Sequence, residues 1–121
     1  MAVAAAAVNN FKTYTKVVGL TTDVVYTAPA GYVGVFLLAQ CANIGTATQY
    51  ITWYHNRVSS GSTTSTEIVR NFYIPAGDTA NLLPGKLVLE TGDYITISGS
   101  ASTTPAQLKF ISSILETSNQ Q

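Results

Sequence analysis

Residues Tyr32 to Asn43 read Tyr-Val-Gly-Val-Phe-Leu-Leu-Ala-Gln-Cys-Ala-Asn, an uncharged stretch with apolar side chains on both parities. Val33, Val35, Leu37 and Ala39 fall on one parity, Phe36 and Leu38 on the other. A short apolar run rich in β-favouring residues, set off upstream by the turn residues Pro29-Ala30-Gly31, reads as a strand. Apolar character on both faces places it centrally in a sheet, with something covering each side.

The flanking sequence supplies the neighbours. Thr13, Thr15, Val17 and Val18 open one β-favouring stretch, and Asp23 to Thr27 forms another. Residues 47–58 alternate less cleanly, with Tyr50 and Tyr54 on one parity and Ile51, Trp53 and His55 on the other. Ser59 to Ser65, all Ser, Thr and Gly, is expected as a flexible hairpin loop before a partner strand over 66–74. Pro75-Ala76-Gly77-Asp78, Pro84-Gly85 and Thr91-Gly92-Asp93 read as three further turns. Tyr94 to Ser98 alternates strictly, with Ile95 and Ile97 facing in, and 107–116 puts Leu108, Phe110 and Ile114 on one face. About eight short strands without a helix, joined by connections too short for a crossover, predict an all-β fold. The expected architecture is an antiparallel two-sheet β-sandwich, for which a jelly roll is one arrangement. The boundaries read as an N-terminal arm over 1–10, the sandwich domain over 11–117 and a polar tail over 118–121.

Composition narrows the function. With 121 residues there is room for one domain with a real core. Only 10% of residues are charged, against about 25% in ordinary soluble domains. Six Lys or Arg balance six Asp or Glu, so no basic surplus exists for a nucleic-acid partner. Ser and Thr, about a fifth of the chain, supply the polarity instead. A surface that is polar but nearly uncharged gains little protection from association, which points to protein neighbours. The apolar stretch Met1 to Val8 falls well short of the ~20 residues of a membrane span. It also lacks a basic segment ahead of it, so neither a membrane partner nor a secretory signal is expected.

The parts of an active site are missing from the pattern. His55 has no nucleophile motif beside it, and it reads as a surface or interface histidine. Glu90 and Asp93 straddle Gly92 at one hairpin end, where Asp commonly holds turn amides rather than working across a cleft. Pro84-Gly85-Lys86 lacks the upstream glycine and the following Ser or Thr of a phosphate loop. One Cys and one His cannot close a zinc site, and Asp23, Asp78 and Asp93 form a calcium site only if the fold gathers them. Cys41, alone in an apolar run, reads as a buried small hydrophobe. No enzyme activity and no cofactor are therefore expected.

Aromatic residues carry the remaining specificity. Tyr14, Tyr26, Tyr32, Tyr50, Trp53, Tyr54, Phe72, Tyr73 and Tyr94 are too many for one small core. On exposed sheet faces they serve as cross-strand pairs, protein-interface anchors or platforms for sugar rings. The candidate contact residues are Met1, Val3, Val8 and Phe11 on the arm, with Tyr50, Trp53, Tyr54 and His55 on one strand.

Two segments also resemble a known group. Ile74-Pro75-Ala76-Gly77 and the stretch Leu83-Pro84-Gly85-Lys86-Leu87-Val88-Leu89-Glu90-Thr91-Gly92-Asp93-Tyr94-Ile95 resemble small all-β virion structural proteins of tailed bacteriophages, especially those infecting cyanobacteria. Asn10-Phe11-Lys12, Val25-Tyr26-Thr27-Ala28-Pro29-Ala30 and Ile111-Ser112-Ser113-Ile114-Leu115-Glu116 are similar to the same pattern. The resemblance implies a non-enzymatic virion component with other virion proteins as partners, and assembly in the host cytoplasm as a homo-oligomer is expected with it. The leading expectation is a capsid decoration or cement protein docked on the major capsid protein. A neck or tail component such as a fibre adaptor is the alternative, and a glycan-binding module on the virion surface the second.

Overall fold

The structure, a computed structural model, describes residues 9–118. Nine strands form two antiparallel sheets: β1 (Asn9–Val18), β2 (Asp23–Thr27), β3 (Tyr32–Asn43), β4 (Gln49–Ser59), β5 (Ser62–Ile74), β6 (Thr79–Asn81), β7 (Leu87–Leu89), β8 (Tyr94–Gly99) and β9 (Leu108–Ser118). The first sheet has the order β1-β9-β3-β6, with β7 also paired to β3, and the second has the order β2-β8-β4-β5. Pairing extends beyond the expected domain limits, from Asn9 opposite Thr117 to Tyr32 opposite Ser118. The pairs β1 with β9, β2 with β8, β3 with β6 and β7, and β4 with β5 nest inside one another, which is the wrapping of a jelly roll. No helix among the described residues is long and apolar enough to cross a membrane.

Three local features differ from the sequence expectation. The loop over Ser59–Ser65 contracts to a two-residue turn at Ser60-Gly61, both at positive φ (52° and 79°), and the strands run on to meet it. Positive φ at both central residues matches the right-handed twist of a hairpin, and glycine takes it without strain. Pro84-Gly85 reverses nothing: β6 pairs with Gln40–Ala42 and β7 with Gly34–Phe36 in the same direction. Proline cannot donate to the ladder, so β6 and β7 are one edge strand interrupted in the middle. Finally, a bulge at Leu37 shifts the parity of β3. Gly34 and Phe36 face in before it, Ala39, Cys41 and Asn43 after it, whereas Leu37 is turned out to solvent.

The core is an aromatic zigzag between the sheets. Tyr14, Tyr26, Phe36, Trp53 and Phe110 come alternately from the first and second sheets, with successive ring centroids 5.3–5.9 Å apart. Such tilted and edge-on pairs contribute about 0.5–1.5 kcal/mol each beyond the area they bury. Ile51, Ile95, Ile97, Leu108 and Ile114 fill the space around them. Cys41 is fully buried and unpaired, and burial pushes its thiol up to about 12.

Candidate interaction surface

The expected contact residues divide when folded. Met1, Val3 and Val8 lie outside the described residues. Phe11 is 76% exposed on the outer face of β1, and Tyr50 is exposed on β4, stacked at 5.4 Å on Tyr73 of β5. Trp53 is not a contact residue: it is 0% exposed, locked between Phe36 and Phe110, and its indole N–H finds no acceptor among the described residues. The inward parity it shares with Ile51 decides this, because the largest side chain on a buried face fills the core.

His55 is only partly exposed and belongs to a local network. Its Nε2 lies 3.0 Å from Oδ2 of Asp93, which is buried at the start of β8. The same carboxylate accepts from the Glu90 amide at 3.0 Å and from Arg57 Nη2 at 3.0 Å, while Arg57 also reaches Glu90 at 3.1 Å. Burial works against the charge on Asp93. The Arg57 hydrogen bond, the Glu90 amide, the Arg57 charge and His55 outweigh it and hold the carboxyl below its ordinary value. Asp93 therefore pins the Glu90–Asp93 turn to β4.

Elsewhere charge is also consumed internally. Lys12 pairs with buried Glu116 at 3.3 Å, and Lys16 with Asp23 at 3.6 Å. Asp23, Asp78 and Asp93 are not gathered, and no group of three metal-ligating side chains occurs among the described residues.

What remains outside is two unlike faces. The second sheet presents Tyr54, Tyr94, Thr96 and Ser65 around a shallow depression of about 340 Å³. Asn56 sits beneath it with both amide hydrogens used, on Tyr94 O and Thr96 Oγ1, and its oxygen accepting from Ser65. The first sheet carries an apolar row across a face that is otherwise mixed. Phe11 of β1 registers with Leu115 of β9, Leu115 with Val35 of β3, and Val35 with Val88 of β7. Val35 is an outward member of the two-sided apolar run of β3, and Leu115 and Val88 extend it across the sheet.

No family model matches the chain, and no curated protein matches it. A chain from a solved structure of Bacillus endospore appendages, described as a novel family of disulfide-linked pili, is similar to it with a TM-score of 0.52. The likeness covers 99% of this chain and 98% of that one at 14% sequence identity, and so concerns the fold.

Proposed function

We propose that this chain is a structural subunit of a phage particle, a decoration or cement protein that docks on the assembled head through the outer face of its second sheet. The observation that carries this reading is a tyrosine- and hydroxyl-rich face on which charge is sparse, with Glu67 in register with Tyr54, while Lys12, Lys16 and Arg57 are paired with acidic partners elsewhere. Tyr50 and Tyr73, stacked and exposed, are the anchors on that face, and docking them desolvates no ion. A protein that binds only the intact shell stabilises it by mass action, and many copies make weak contacts sufficient. The pilus likeness adds that a sandwich of this kind serves as a subunit of a protein polymer. Disulfide linkage of the sort named for those pili does not extend to Cys41, which is buried.

Electron microscopy of intact particles tests the reading. Density on the shell is the expected result; density only at the neck or tail makes the chain an adaptor instead. The depression between Tyr54 and Tyr94 supports a second reading, glycan binding, since aromatic rings flanked by hydroxyls suit a sugar. A glycan array probed with the assembled oligomer and showing no binding removes it.

A further inference from the structure

The sequence of β3 calls for cover on both sides, and the described residues of one copy supply cover on one. Inward, Phe36, Ala39 and Cys41 are fully buried by the second sheet. Outward, Val33, Val35 and Leu38 are only half-buried and Leu37 is exposed. Outer faces of antiparallel sheets are ordinarily polar. Here the register aligns Phe11, Leu115, Val35 and Val88 into one apolar row across four strands, with Phe11 76% and Val88 51% exposed at its ends.

We infer that this face is covered by a second copy of the same chain, in a twofold dimer whose axis runs along the Phe11–Val88 row. Three observations select that occupant. The first is charge: the chain has zero net charge, and Lys109 is the only charged residue among the described strand residues of this face. Lys12 and Lys16 lie on the other parity, tied to Glu116 and Asp23. The second is geometry. An axis along the row lays each row residue on its counterpart and runs the facing strands antiparallel. Lys109 lies six residues along β9 from Leu115, about 20 Å at ~3.4 Å per residue. The axis therefore holds the two Lys109 side chains about 40 Å apart, well beyond the ~8–10 Å screening length. An axis along the strands brings them together, so the lysine decides the orientation. The third is area. Four strands spaced ~4.8 Å and ten residues long give about 650 Å² in projection, and protruding side chains raise the accessible area toward the ~800 Å² per partner of a standard interface.

The dimer uses the first sheet and the proposed shell contact the second, so either can fail alone. Sedimentation equilibrium of the full chain is expected to show a monomer–dimer equilibrium in the micromolar range. Phe11→Asp and Val88→Lys, both at exposed positions, should each weaken it at least tenfold with an unchanged circular dichroism spectrum. Thr96→Lys on the opposite sheet should leave it unaltered. A Phe11→Cys chain treated with a short bis-maleimide should cross-link as a dimer, Cys41 being buried and silent, whereas Thr64→Cys at the hairpin tip should not. A monomer at millimolar concentration overturns the proposal, as does a dimer indifferent to Phe11→Asp and Val88→Lys together. Dimerisation that appears only after deleting residues 1–8 assigns the face to that segment instead.

Discussion

The hydroxyl of Tyr26 donates to Oε2 of Glu116 at 2.7 Å, both residues being buried. The other carboxylate oxygen faces Lys12 at 3.3 Å. One hydrogen bond thus ties β2 of the second sheet to β9 of the first, where a buried acid needs every partner it has.

Tyr26→Phe should destabilise the chain by about 1–3 kcal/mol, because it leaves a buried acceptor unsatisfied. Gly34→Ala should act on the same bond from the other side, since a Cβ there meets the Tyr26 ring at 2.8 Å. Urea midpoints measure both, and a combined variant costing much less than the sum shows that they share one mechanism.

Asp93 sets the acid limb of stability. Its carboxyl is held below the ordinary 3.8 in the fold, so its contribution is complete above that value and disappears as pH falls through the folded value. Asp93→Asn should therefore be less stable than the native chain by a constant margin from pH 5 upward, roughly 1–3 kcal/mol for the bonds weakened. The gap should close on acidification. A margin independent of pH down to full protonation rules out the charge on Asp93 as its source.

At the other end of the scale, Lys12 is raised by its hydrogen bond to Glu116 and, less, by the nearby Tyr14. A raised cation stabilises fully below its unfolded value of 10.5 and stops doing so as pH climbs through the folded one. Lys12→Met should flatten the alkaline decline in melting temperature.

Trp53→Ala should cost about 3–5 kcal/mol, the penalty for removing a large aromatic from a closed core. Trp53→Phe should cost much less, since it keeps ring contacts with Phe36 and Phe110 and removes an indole N–H that has no acceptor among the described residues. Thermal melts followed by far-ultraviolet circular dichroism give both values.

Cys41 should resist thiol reagents in the native chain and label fully in denaturant. It is inaccessible, and burial pushes the thiol up to about 12, so little thiolate forms near neutrality. Native labelling at the rate of a free thiol contradicts the burial of β3.

Particular residues show what the sequence made legible. Ile95, Ile97, Leu108, Phe110 and Ile114 face in as their alternation requires, because burial on one side of a pleat leaves a period-two record. The bulge at Leu37 left no such record, since every neighbouring position is apolar and parity cannot be counted. Trp53 was misread as a contact for a related reason: an aromatic suits a core and an interface equally, and only the register of β4 between β5 and β8 decides. Asp93 as a turn-holder was readable from three residues. The Tyr26–Glu116 bond was not, because it joins positions ninety residues apart that only the completed wrapping brings together.

In the proposed assembly, zero net charge and the internal pairing of Lys12, Lys16 and Arg57 also govern how fast copies find one another. With Lys12, Lys16 and Arg57 occupied at home, the chain projects little long-range field to guide an approaching partner. Encounter then proceeds at the unsteered rate, about 10⁵–10⁶ M⁻¹s⁻¹, and adding salt barely changes it. In the proposed assembly, local crowding of subunits, rather than attraction at a distance, sets the tempo of joining.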